Sequence, residues 1–170
     1  YFVNEIFPLL TPVAIDPAHP FPFVPNLGLS IVLKLRNKKS KNIIRVVIPF
    51  PKGLKKFIKI NNNKFIATDN IIIFFIDLLF PKYTFISYGA FRLIRDSDIE
   101  FSDEAEDLVT TFENQLRKRR YGREVLLEMT KSIPEDLKNM IINSLDINRD
   151  NIIYAEHILD ISSANQITSS

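Results

Sequence analysis

The sequence predicts an α+β fold, a mixed β-sheet with helices packed on it. Three observations carry that expectation. β-branched or alternating runs recur at residues 29–36, 43–50 and 83–95, separated by polar turns. Helix-period apolar patterns occupy residues 103–120 and the stretch behind Pro134. The composition, 46% hydrophobic and 25% charged over 170 residues with 14 Phe, is that of a globular chain long enough for one core.

Taken in order, residues 1–9 place Phe2, Ile6 and Leu9 near one helical face, with Pro8 ending or kinking the helix. Pro12, Pro17, Pro20, Pro22 and Pro25 then enforce an extended, rigid segment from which Phe21, Phe23 and Val24 are expected to pack inward. Residues 29–36 set Leu29, Ile31, Leu33 and Leu35 on one side and Ser30, Val32, Lys34 and Arg36 on the other. The turn NKKSKN leads to a hairpin partner at 43–50, and residues 57–60 and 64–68 read as further short extended pieces. A helix is expected over 70–80, capped by Asp69, stopped by Pro81 and so apolar all round that it should lie deeply buried.

Residues 83–95 form a strand in which Gly89 marks a bulge or a close backbone approach. The helix over 103–120 has Ser102 as cap, acids in its first turns, Arg117, Lys118, Arg119 and Arg120 in its last, and Gly122 just beyond. A strand at 123–130 is followed by Ser132-Ile133-Pro134-Glu135, a capping-box pattern. The helix behind it should bury Leu137, Met140, Ile141 and Leu145. A short strand at 151–155 and an irregular tail from 157 complete the chain.

Much chemistry is excluded by residue type. There is no Cys, hence no disulfide or thiolate, and with His19 and His157 as the two histidines a multi-histidine metal site is ruled out. His19 lies between prolines and His157 near the chain end, so each reads as structural or solvated. Neither a phosphate-binding glycine loop nor a GxSxG or HExxH motif occurs. The acids at 96–107 are explained by stabilisation of a helix N-terminus rather than by metal binding. No apolar run is long enough to span a bilayer.

Charge is divided. Residues 1–64 carry eleven bases against two acids, a sum of +9, whereas residues 65–170 sum to −7. Such asymmetry points to a polyanion-facing surface on the first part, although lysines on strand edges also discourage unwanted pairing. Arg117, Arg119, Arg120 and Arg123 add guanidinium forks suited to phosphate oxygens.

Several stretches together resemble the middle, or head, domain of the large bacterial polyphosphate kinase family, the type that forms a phosphohistidine. They are YFVNEIFPLLTP at the start, DPAHPFPF from Asp16, FRLIRDSD from Phe91, DEAEDL from Asp103, RKRRYGREVLLE from Arg117 and PEDL from Pro134. The resemblance covers essentially the whole chain in family order, and residues 37–68 match least. It implies a fold resembling the phosphohistidine phosphatases, without their activity. It also implies a parent enzyme in a cytoplasmic or membrane-associated setting that moves the terminal phosphate of ATP reversibly onto polyphosphate. That enzyme would be an ATP-binding, magnesium-dependent phosphoprotein.

By the same resemblance, the catalytic His and its companions belong to C-terminal domains, so no catalytic or metal residue and no cofactor is expected within residues 1–170. Residues 1–9 would end a preceding helix and 158–170 would lead toward a further domain. The expected partners are the other domains of the parent, a second copy in a homodimer, and polyphosphate, approached by Arg117, Arg119, Arg120, Arg123, Lys34 and Arg36. Aromatic interleaving is too sparse for sequence-specific nucleic-acid binding. The alternatives are a general polyanion- or RNA-binding module and a purely structural domain.

Overall fold

The computed structural model describes residues 1–16, 21–61, 64–95, 124–156, 159 and 161–168. Six strands form one sheet: β1 (Val13–Ile15), β2 (Gly28–Asn37), β3 (Ile43–Pro49), β6 (Tyr83–Arg95), β7 (Glu124–Thr130) and β8 (Ile152–Ala155), in the spatial order β1-β3-β2-β6-β7-β8. All neighbours are antiparallel except β7 and β8, which are parallel and joined through helix α3 (Glu135–Leu145). β4 (Phe57–Asn61) and β5 (Lys64–Ala67) make a separate hairpin. The α+β class is as expected from the sequence.

The alternation in β2 decides what covers each face. Val32 joins Val47, Phe91, Leu93, Leu127 and Met129 in a core closed by Ile133, Leu137, Ile141 and Ile142 from the α3 side. Ile31, Leu33 and Leu35 face the other way, against Phe2, Ile6 and Leu10 and against Ile72 and Ile76. Those last two come from α1 (Thr68–Phe74) and α2 (Ile76–Leu79). Each aliphatic side chain so buried contributes about 1.5–3 kcal/mol.

Several expectations need correction. The opening segment is a π-helical turn (Phe2–Ile6) followed by a 3-10 turn (Phe7–Leu9). This altered winding buries Leu10 and leaves Leu9 exposed. The proline-rich stretch contains an unforeseen strand, β1, because its residues before Pro17 can still pair with the edge of β3. Val24 packs inward and Phe21 leans on the core, but Phe23 stays 45% exposed. The helix expected over 70–80 starts at Thr68 and breaks at Phe75 into two short pieces.

That helix pair is not deeply buried. It lies on one face of the sheet, so only the Ile72 and Ile76 side is covered, while Phe74 is 80% and Leu78 51% exposed. Asp69 is not the cap; Ala67 holds that position and Asp69 lies in the first turn. The capping box does not form either. The helix begins at Glu135 with Pro134 at the N-cap, too late for Ser132 to cap it, and Glu135 instead bonds Lys138 and Asn139. The tail is not irregular: Leu159 is buried, and a 3-10 turn (Ile161–Ala164) runs into α4 (Asn165–Thr168). The helix expected over 103–120, its caps, the acids at 96–107, His19 and His157 lie outside the described residues.

Gly89 is required by a close approach. A Cβ there would stand 2.4 Å from Cγ1 of Ile133, the residue that leads the chain into α3. Gly89→Ala is therefore expected to destabilise the protein by about 2 kcal/mol through overpacking, read as a lower urea midpoint. Ile133→Ala, which removes Cγ1 and Cδ1, should cost less in combination with Gly89→Ala than alone.

Candidate functional site

Of the sequence-predicted site residues, Lys34 and Arg36 are described, and both lie on β2. They alternate with Val32 and so share the sheet face that carries α3. Lys34 is opposite Arg45 on β3, and the two bases converge on Asp136 in the first turn of α3. Lys34 Nζ lies 2.7 Å and an Arg45 guanidinium nitrogen 3.7 Å from Asp136 Oδ2. Lys34 is thus engaged by a carboxylate, whereas Arg36, two residues on, is exposed. Arg45 was not singled out from the sequence. Alternation alone puts Lys34 and Arg45 on one face, but Asp136 reaches them only through the packing of α3. Arg117, Arg119, Arg120 and Arg123 lie outside the described residues.

The hydrogen bond from Lys34 holds the Asp136 carboxyl below its ordinary value of 3.8, aided by the charges of Lys34 and Arg45 and opposed by partial burial. A carboxyl depressed on folding adds stability above its unfolded value and loses it as pH falls through the folded one. Stability should therefore drop in the acid range below about pH 4, and Asp136→Asn should flatten that part of the profile. At neutral pH the substitution should cost about 0.5–1 kcal/mol, since the group is partly solvated. Urea titrations across the acid range check both.

Arg95 is a buried cation that the sequence reading left without a role. Its Nε donates to the Val24 carbonyl at 2.8 Å, its backbone N–H donates to Asn26 Oδ1 at 2.9 Å, and its guanidinium lies 4.8 Å from the Phe23 ring centroid. The far end of β6 thereby clamps the proline-rich segment, which cannot supply its own backbone donors at Pro22 and Pro25. Its position in FRLIR was the available signal, but an arginine closing an apolar strand does not by itself reveal what it holds.

The β4–β5 hairpin forms a second basic region. Lys56 is buried and pairs with Asp69 at 3.1 Å, while the Thr68 hydroxyl donates to the Lys55 carbonyl at 2.6 Å. Gln166 Oε1 accepts from the backbone N–H groups of Lys56 and Phe57, which fastens α4 against β4. A cleft of about 430 Å³ opens here, lined by Tyr1, Lys55, Phe57, Lys59, Phe65 and Gln166 among others. Lys52, Lys55, Lys59 and Lys64 make no ion pair among the described residues.

Elsewhere, Tyr1, Val3, Phe7, Phe74 and Leu78 expose an apolar surface in which Phe2 stacks on Phe75 with ring centroids 4.5 Å apart. No group of three His, Asp or Glu side chains gathers among the described residues. Among them too, no helix is long and apolar enough to cross a membrane.

Residues 1–167 match the family model described as the polyphosphate kinase middle domain. The chain belongs to that family. The polyphosphate kinase of Mycobacterium avium is 32% identical over 98% of this chain, and that of Parasynechococcus marenigrum is 39% identical over 89%. The chain covers 25% and 23% of those two proteins, so it spans about a quarter of the length of the curated relatives it matches. The crystal structure of a polyphosphate kinase from Porphyromonas gingivalis shares the fold, with a TM-score of 0.73 over 97% of this chain and 24% of its own, at 18% identity. In this chain the sheet is covered by helices on both faces, and eleven of its bases fall between Lys34 and Lys64.

Proposed function

We propose that this chain is the head domain of an enzyme that reversibly transfers the terminal phosphate of ATP to polyphosphate through a phosphohistidine. In that reading the domain is non-catalytic, and ATP and magnesium act in other domains of the same polypeptide. It contributes architecture, dimer contacts and a basic path for polyphosphate. The family match over residues 1–167, together with relatives named polyphosphate kinase, carries the reading.

Two surfaces support the division of labour. Lys34, Arg36 and Arg45 set three bases on one sheet face, two of them on the Asp136 carboxylate and Arg36 exposed, which offers positive charge toward a polyanion. Arg117, Arg119, Arg120 and Arg123 would extend the path. The apolar surface around Phe74 and Leu78 would be covered by a second copy, because apolar patches of this kind mark interaction sites when left open on a folded unit.

In the full-length enzyme, Arg119→Glu with Arg120→Glu should lower polyphosphate synthesis several-fold and shorten the product, with KM for ATP little changed. Unaltered rate and chain length would remove these arginines from the path. Phe74→Asp with Leu78→Asp should shift sedimentation from dimer toward monomer, and an unchanged dimer would remove this face from the contact.

A further inference from the structure

We propose that the cleft on the β4–β5 hairpin binds a nucleotide, a planar base carried on a phosphate chain. This goes beyond the polyphosphate path and does not depend on it. The register sets Lys59 directly across from Phe65, and Phe57 and Ala67 form the next cross-strand pair but one on the same face. An ammonium group and an aromatic ring therefore lie side by side at the cleft wall. Lys55 and Lys59 are exposed, and among the described residues they make no ion pair and no carboxylate lines this cleft. The neighbouring Lys56 shows the contrast: it is buried and spent on Asp69.

The lining divides by chemistry. Two lysines offer point charges to phosphate oxygens. Tyr1, Phe57 and Phe65 offer rings to a base, whose stacking is tolerant of base identity. At about 430 Å³ the cleft falls within the size range of small-molecule sites. Phe57 and Phe65 also wall a second cleft of about 480 Å³, where Asn70, Tyr88, Thr130 and Ser132 supply amide and hydroxyl groups and where Asp69 and Glu156 are already paired with Lys56 and Lys131. A base placed over the shared rings would thus have its sugar and phosphates on the lysine side and hydrogen-bonding partners for its own polar edge on the other. A bare phosphate chain would use the lysines and leave three aromatic rings without a role.

The test is photolabelling of the full-length protein with azido-ATP, followed by mapping of the labelled peptide. Label is expected between Lys55 and Ala67, protected by ATP and by GTP but poorly by tripolyphosphate. Lys55→Glu with Lys59→Glu should reduce labelling of that peptide by about tenfold or more, the scale of losing two charge-assisted phosphate contacts. Phe65→Leu should weaken protection by ATP and leave the weak effect of tripolyphosphate as it was. Absence of label from this peptide, or equal protection by tripolyphosphate and ATP, would overturn the proposal. These readouts on the unsubstituted protein stand even if a variant folds poorly, and they do not rely on kinase activity.

Discussion

Strand β2 is buried along most of its length on both faces, and the rest of the structure answers to that. A strand with Ile31, Leu33 and Leu35 on one side and Val32 on the other cannot stay in water on either. One face takes α3 through Leu137 and Ile141. The other takes the opening turns and the α1–α2 pair. Because α3 must come down close to the sheet, the chain enters it through Ile133, and β6 must yield the space of a side chain at Gly89. The parallel strand β8 is then delivered to the edge of β7 by the crossover through α3.

The same double cover sorts the charges. Lys34 and Arg45 lie where the apolar part of the α3 face ends, and the first turn of α3 brings Asp136 to them. Asp136 is also well placed at a helix N-terminus, so a single carboxylate serves the helix dipole and two cations. Toward the other end, Arg95 fastens the proline-rich segment and Arg92 pairs with Glu128 at 3.1 Å across β6 and β7. Among the described residues Lys55, Lys59 and Lys64 of this region make no such pair, whereas Lys56 pairs with Asp69. A domain nearly neutral in sum thereby keeps a strongly cationic corner.

Membership of the polyphosphate kinase middle-domain family gives that corner and the basic sheet face a chemical setting. Lysines held on rigid strands offer point charges to phosphate oxygens without needing further reacting groups. Phe74 of α1 is exposed as well.

The sequence by itself determined the strands β2, β3 and β6, the α3 helix with its buried Leu137 and Ile141, the tight spot at Gly89, and the α+β class. Each follows from a period, a β-branched run or a missing side chain, all of which are local. The family resemblance was legible in motifs spread along the chain, and the matches over residues 1–167 agree with it. Tertiary structure decided the rest. It placed Pro134 rather than Ser132 at the start of α3, spent Asp69 on Lys56 instead of on a helix cap, and exposed Phe74 by laying its helix across one face. It also joined Lys34 to Asp136, about a hundred residues away in the chain. Those outcomes depend on which surfaces meet, and a linear pattern fixes the character of a surface but not its partner.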